Sequence, residues 1–159
     1  MNFPKLTKYQ TVLEIISLLL LIANVVYIIF EYSALPAKIP MHYNADGSVR
    51  DYESKSTVWL ILGVEVLIYA VLTVVMFVPK LSGEPNLPWE VKDTGKLAVQ
   101  RETLSLLSEC KLLSLVIYVC ISVITVEGIV TKMPIVLVLC PLLLIPLFIR
   151  LARISRYKK

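Results

Sequence analysis

The 159-residue chain has little of what a soluble active site requires. It contains one histidine, three cysteines and five glycines. No GxSxG, HExxH, P-loop or glycine-rich dinucleotide turn is present in the sequence. Cys110, Cys120 and Cys140 form no CxxC pair and no Cys/His cluster, so they predict no metal site or disulfide framework. We therefore expect a protein that is not an enzyme and that carries no cofactor and no metal.

Charge is also scarce over four long stretches of the chain. The hydrophobic fraction is 57% and the mean hydropathy is +0.77, both of which come from long apolar runs. A soluble four-helix bundle would need a charged outer face on each helix, which these runs lack. The first three runs have about 20 residues each, enough to cross a hydrocarbon core of roughly 30 Å. The runs are 11–32, 57–78, 106–126 and 134–149.

The fold class predicted from these runs is an all-α integral membrane protein with four transmembrane helices. The fourth run is shorter, and it would cross the membrane only if Lys132 and Arg150 extend their charged ends towards the headgroups. We predict a single membrane domain over residues 1–159, with an outer loop at 34–56 and an inner loop at 80–95. The predicted helices cover about 11–33, 57–79, 96–128 and 134–151.

The orientation follows from the distribution of lysine and arginine, which is biased towards the cytoplasm in membrane proteins. Of the 16 basic residues, 12 fall in the N-terminal tail, the loop 80–95 with the following helix start, and the C-terminal tail. Only Lys38, Arg50, Lys55 and Lys132 fall on the other side. Both termini should therefore be cytoplasmic. The net charge of +4 then reflects topology and lipid headgroups, and needs no nucleic acid.

The outer loop 34–56 is dense in polar residues and reads as a short structured hairpin. Pro36 and Pro40 favour extended chain, and the "NADG" stretch is a turn signal. His42 on one arm and Asp51 on the other should approach each other. Three roles remain open for His42: a structural hydrogen bond to a carboxylate such as Asp51, contact with a ligand, or a metal site with Asp46 and Asp51.

This loop resembles a bacterial family of small membrane proteins whose domain has no known function. The similarity lies in Leu35-Pro36, Ile39-Pro40, His42, Asn44, Gly47, a nearby aspartate and Lys55, with "NLPWEV" and "LAVQR" further on. The family is related to SdpI, a toxin-immunity and signalling protein. The resemblance implies a multi-pass protein of the bacterial inner membrane, and its SdpI branch implies protection against a secreted peptide and retention of a repressor at the membrane.

Polar residues inside the predicted helices recur every three or four positions, which places them on one face of each helix. Glu65 and Asn24 both lie about 12 Å from the outer end of their helices, at 1.5 Å per residue. An ionised carboxylate there costs about 2.5 kcal/mol or more, so Glu65 should be protonated, hydrated or bonded to Asn24. These groups either join the helices or line a cavity open to the outside, with Glu31, His42 and Glu127 at its rim.

The leading functional hypothesis is a membrane protein that binds or neutralises an extracellular amphipathic ligand, as SdpI does. The alternative is a small transporter or channel-like subunit in which Glu65 is a proton or cation site, and a lipid-active enzyme is a third. Expected partners are membrane lipid, an extracellular peptide and a cytoplasmic regulator at 80–105, and an oligomer is compatible with the sequence. The candidate ligand-binding residues are Asn24, Glu31, His42, Asn44, Asp51, Glu65, Tyr69 and Tyr118.

Overall fold

The computed structural model describes residues 5–44, 48–82, 95–128 and 133–157. Within them the chain is mostly helical and carries one small hairpin of strands, as predicted. The Asp46-Gly47 turn and most of the inner loop lie outside the described residues. The elements in chain order are α1 (Lys8–Glu31), β1 (Lys38–Tyr43), β2 (Val49–Ser54), α2 (Thr57–Ser82), α3 (Lys96–Glu127) and α4 (Met133–Ser155).

Three of these helices are long and apolar enough to cross a membrane. They are Lys8–Glu31, the Thr57–Met76 part of α2, and Lys96–Glu127. Their large apolar side chains are exposed on the outside of the bundle: Phe30 is 75% exposed and Leu60 is 68% exposed. Because water would oppose so much exposed apolar surface on adjacent helices, these segments indicate a membrane protein.

The helix ends follow local rules. Thr7 and Gln10 form a reciprocal capping box at the start of α1. Gly95 occupies the N-cap position of α3 and makes no side-chain bond. Gly128 ends α3 with φ of 65°, a left-handed conformation that glycine adopts without strain.

Helix α3 is the centre of the bundle, because α1, α2 and α4 all pack against it whereas α1 and α2 share little contact. The C-terminal turn after α4 returns to the start of α3. There a Cβ on Gly95 would lie 2.7 Å from Cδ1 of Tyr157, so this contact requires glycine. Val99 and Ile154 are buried at the same end of α3 and α4.

The buried stripe of α1 alternates between apolar and polar side chains, whereas its exposed surface is almost entirely apolar. The stripe recurs at three and four residues, and its members are Gln10, Leu13, Ser17, Leu21, Asn24 and Ile28. This arrangement fits a lipid environment, in which polar side chains turn inwards and hydrogen-bond between helices. It confirms that the polar face of α1 points into the bundle.

The two strands pair antiparallel, with His42 opposite Asp51. The register shifts between Pro40 and His42, and again between His42 and Tyr43. Such bulges change which cross-strand side chains meet, because an extra residue on one strand has no partner. This matters for His42, whose contacts are described below.

Candidate functional site

A buried polar group joins three helices in the half of the bundle nearest the hairpin, which we call the outer half. Asn24 on α1 donates from Nδ2 to Oε2 of Glu65 on α2, at 2.6 Å. The same nitrogen lies 3.1 Å from Oγ of Ser122 on α3. All three residues are buried, with 2%, 1% and 2% of their surface exposed. The predicted bond between Asn24 and Glu65 is therefore present, and Ser122 completes it.

Two oxygen atoms of this group have no hydrogen-bond partner among the described residues. They are Oε1 of Glu65 and Oδ1 of Asn24, and both are buried. A carboxylate oxygen and an amide oxygen can only accept hydrogen bonds. No donor among the described residues reaches either of these two atoms. An unpaired buried polar atom is unfavourable, which makes this pair of oxygens a candidate site for a proton, a water molecule or a cation.

Substitutions of Glu65 should distinguish the contribution of its hydrogen bond with Asn24 to stability from the contribution of its carboxylate charge. Glu65→Gln keeps an acceptor for Asn24 and adds a donor, so its free energy of unfolding should equal or exceed that of the wild type. Glu65→Leu leaves Asn24 with only Ser122, and should lose about 1–3 kcal/mol. Detergent-unfolding titrations would measure both, with Val66→Leu on the lipid-exposed side of α2 as the control. Equal stability of all variants would contradict a structural role for this bond.

A second polar group lies deeper, towards the inner end of the helices. Lys111 on α3 has no exposed surface, and its Nζ lies 2.6 Å from Oε2 of Glu14 on α1. The ammonium is also 4.9 Å from the ring centre of Tyr69 on α2, a cation–π contact. Ser17 and Ser108 are buried one helical turn from Glu14 and Lys111, and neither hydroxyl has a partner in the described part of the chain. Oε1 of Glu14 is likewise unpaired.

The inner end of the bundle is fastened by bonds that the sequence alone did not reveal. Gln10 on α1 is buried and donates to Oγ of Ser105 at 2.8 Å and to the carbonyl of Arg101 at 3.0 Å. On α4, Arg150 donates from Nη1 to Glu102 at 2.7 Å and from Nε to Glu109 at 2.8 Å. Both acids lie on α3, so Arg150 joins α4 to the central helix.

Tyr9 completes this inner cluster. Its hydroxyl donates to Oε1 of Glu109 at 2.9 Å, and its ring centre is 5.7 Å from the guanidinium carbon of Arg150. The only sequence signal for the cluster was the i, i+7 spacing of Glu102 and Glu109, which places them on one side of α3. The role we predicted for Arg150 was extension towards the headgroups, whereas the structure pairs it with two carboxylates.

On the outer side, the hairpin is held against the helix ends by residues of the motif that carried the family resemblance. Lys55 donates to the carbonyl oxygens of Tyr32 and Leu35, at 3.3 Å and 3.4 Å, and lies 4.8 Å from the ring centre of Tyr32. Its own backbone N–H donates to the carbonyl of Ala37. Lysine at the C-terminal end of α1 also complements the helix dipole. Lys55 therefore fixes the hairpin to α1.

Beneath the hairpin lies a layer of apolar side chains, which we call the outer seal. It consists of Ile28, Leu35, Ile39, Val58 and Leu62, each with at most 7% of its surface exposed. Of the two alternatives, the polar cavity open to the outside is not what the described residues form at this place. The physical reason is that Leu35 and Ile39 turn towards the bundle and pack against α1 and α2 instead of framing an opening.

The charged groups of the hairpin meet differently from the prediction. Nε2 of His42 lies 3.5 Å from Oε1 of Glu53, and both side chains are roughly half exposed. Although Asp51 faces His42 in the register, its Oδ1 accepts the backbone N–H of Tyr52 at 2.8 Å. The bulge beside His42 accounts for this change of partner. Asn44 donates to Oγ of Ser48 at 2.8 Å, closing the end of the hairpin.

The remaining predicted residues do not gather at one point. Glu31 is half-buried at the end of α1, and Glu127 is exposed at the end of α3. Tyr118 is half-buried on α3, between the depths of Lys111 and Ser122. Across the described ranges, no three His, Cys, Asp or Glu side chains lie close enough together to hold a metal ion. Asp46, part of the metal alternative for His42, lies outside those ranges.

One family model matches part of the chain, residues 19–66. No curated protein and no solved structure matches the chain, and nothing in the comparisons links it to SdpI. The matched segment extends from the middle of α1 through the hairpin to α2, so it contains both Asn24 and Glu65. Over residues 19–66 the chain is similar to a family described as a domain of unknown function (DUF1648).

Proposed function

We propose that the chain is a multi-pass protein of the bacterial inner membrane with four spans and both termini in the cytoplasm. Helix α4 supports a fourth span, because its 23 residues extend over about 34 Å, close to the hydrocarbon thickness. Its described side chains Leu144, Ile145 and Phe148 are exposed and apolar. The excess of lysine and arginine at the termini and the 80–95 loop supports the orientation.

Cysteine labelling tests this topology directly. In a variant with the three native cysteines replaced by serine, Ser48→Cys should react with a membrane-impermeant thiol reagent added to intact cells. Ser82→Cys should react only after the membrane is opened, because its end of α2 is cytoplasmic in the proposal. Labelling of both positions from the same side would contradict the four-span arrangement.

We further propose that the hairpin recognises an extracellular amphipathic peptide, in toxin immunity or membrane signalling of the SdpI kind, without catalysis. The observation that carries this proposal is the two-sided character of the hairpin. It is fixed to the bundle by Lys55 and by Ile39 in the outer seal, whereas His42, Tyr52 and Glu53 are exposed. A fixed scaffold with exposed aromatic and charged side chains loses little entropy when it binds a partner.

The chemistry of that outer side suits an amphipathic peptide. Tyr52 is 56% exposed and offers an apolar ring, while Asp51 and Glu53 lie beside Arg50 and Lys38. Charges of both signs around an aromatic group can pair with a peptide that has one apolar and one polar face. A cytoplasmic regulator at 80–105 belongs to the same proposal; the described part of that segment is the start of α3, where Leu97 is 49% exposed.

A protection assay tests the recognition role. Bacteria that express the chain are challenged with medium conditioned by a strain that secretes an amphipathic toxin peptide. Wild type should protect, and the triple variant His42→Ala, Tyr52→Ala, Glu53→Ala should not, because it removes exposed side chains and leaves Lys55 and Ile39 in place. Ser33→Ala, at an exposed position between α1 and the hairpin, is the control. Equal protection by the triple variant and the wild type would contradict recognition by this surface.

The second candidate function is a small transporter or channel-like subunit that uses Glu65 as a proton or cation site. The specific observation in its favour is the pair of unpartnered buried oxygens on Glu65 and Asn24. A buried ionisable group inside a membrane bundle commonly marks an ion or proton pathway.

A further inference from the structure

The polar group around Glu65 is enclosed differently on its two sides. On the outer side it meets the outer seal, since Ile28 lies one helical turn beyond Asn24 and Leu62 lies one turn beyond Glu65. Val126, one turn beyond Ser122, packs against the same layer. The hairpin contributes Leu35 and Ile39 to it. A path from the outside to Glu65 would therefore have to pass through closely packed hydrocarbon.

The inner side carries several buried polar groups, which lie among apolar side chains such as Leu21 and Leu115. One turn below Glu65 on α2 is Tyr69, whose ring contacts the ammonium of Lys111, and Lys111 in turn bonds to Glu14. The unpaired hydroxyls of Ser17 and Ser108 lie beside this ion pair, in the seam between α1 and α3. Buried polar atoms without protein partners are the positions at which proteins hold internal water. Such water can carry protons between the ion pair and Glu65.

The contacts of Glu65 favour a proton over a metal cation. Its one hydrogen bond in the described structure is the bond from Asn24, and no second carboxylate joins the group. Lys111 and Glu14 compensate each other's charge, and Tyr69 is the remaining titratable neighbour on α2. A proton on Oε1 of Glu65 removes the carboxylate charge and converts one of the two unpaired acceptors into a donor. A metal ion would require more oxygen ligands than this group supplies.

We propose that Glu65 is a proton-binding carboxyl group that exchanges its proton with the cytoplasmic side along the α1–α3 seam, while the outer seal separates it from the outside. This rests on the second candidate function, and it adds the identity of the ion and the side from which it arrives. The proton passes from cytoplasmic water to the carboxylate and returns by the same route. Net transfer across the membrane then requires the outer seal to open.

Proton flux through opened variants tests the proposal. The protein is reconstituted into vesicles that contain a pH-sensitive dye, and the inner pH is followed after an acid pulse. Wild type should be as tight as empty vesicles, because the seal is closed. Vesicles with Leu62→Ala should take up protons about tenfold faster or more. Truncating a buried leucine destabilises the closed packing by more than the free energy that corresponds to a tenfold change in an equilibrium. The double variant Leu62→Ala, Glu65→Gln should be tight again.

Matched controls keep this test decisive. Leu60→Ala carries the same substitution on the same helix at a position that is 68% exposed, and it should stay tight. Val58→Ala is a milder change in the seal and serves if Leu62→Ala fails to fold. No leak through either folded seal variant, or a leak that persists with Glu65→Gln, would overturn the proposed route. Sodium flux without proton flux, measured with a sodium-sensitive dye at equal pH, would overturn the assignment to a proton.

Infrared spectroscopy separates failure of the route from failure of the site. The difference spectrum between wild type and Glu65→Gln should contain the carbonyl band of a protonated carboxylic acid at neutral pH. Absence of that band would overturn the proton site itself and weaken the second candidate function. Presence of the band with tight seal variants would overturn only the route and leave the site in place.

Discussion

Replacement of Lys111 by methionine should destabilise the protein by about 3–5 kcal/mol, because it leaves Glu14 as an uncompensated charge inside the bundle. Lys111 has no exposed surface, and its bond to Glu14 is 2.6 Å long. Methionine keeps much of the side-chain volume and removes the charge, so the loss reports on electrostatics more than on packing. The free energy of unfolding in dodecyl sulfate titrations, followed by tryptophan fluorescence, is the measurement.

The double variant Glu14→Gln, Lys111→Met identifies the cause. Removing both members of a buried ion pair is often neutral or stabilising, so the double variant should recover most of the loss. Arg101→Met, an exposed cation on the same helix, should change little. If the single and double variants are equally destabilised, packing around Lys111 would be the cause and the ion pair would be incidental.

Loss of the guanidinium at Arg150 should have the second-largest effect, about 3 kcal/mol, because Glu102 and Glu109 would both lose their cation. Their side chains are only 24% and 10% exposed, so water replaces the lost bonds poorly. Arg150→Lys should recover less than half of the free energy of unfolding that Arg150→Met loses, since one ammonium does not span two carboxylates as the planar guanidinium does. Dodecyl sulfate titrations again give the free energies.

Arg153→Met provides the control for Arg150, because Arg153 is exposed one turn along α4. Protease sensitivity of the C-terminal segment should rise in Arg150→Met and not in Arg153→Met, since Arg150 forms the ion pairs between α4 and α3 among the described side chains. Similar behaviour of the two variants would mean that the apolar packing of α4, including Ile154, is sufficient to hold the helix.

Periodicity predicted the inward polar faces well, because a spacing of three and four residues fixes the side of a helix whatever it packs against. The rise per residue then predicted that Asn24 and Glu65 lie at the same depth, and the two side chains are hydrogen-bonded in the structure. The same reasoning did not pair Glu14 with Lys111. A lysine side chain reaches several ångströms along the helix, so the position of its charge does not follow from the position of its Cα.

The hairpin shows a second limit of sequence reasoning. The prolines and the turn signal predicted two arms with His42 facing Asp51, and the Cα register agrees. The contact with Glu53 depends on the bulge beside His42, which these signals do not encode. In the same way, the place of Ile39 in the outer seal depends on how the hairpin tilts over α1 and α2. That tilt is determined by the packing of the hairpin, α1 and α2 against one another.

The central position of α3 has a consequence for how the protein is made. Because α1 and α2 touch each other little, the first two helices and the hairpin leave the ribosome before the surface that holds them exists. During that interval Gln10 and Glu14 face lipid, or a helper protein, until α3 supplies Ser105 and Lys111. The nascent membrane protein therefore passes through an unassembled stage, and cellular quality control should recognise and degrade chains that stop before α3.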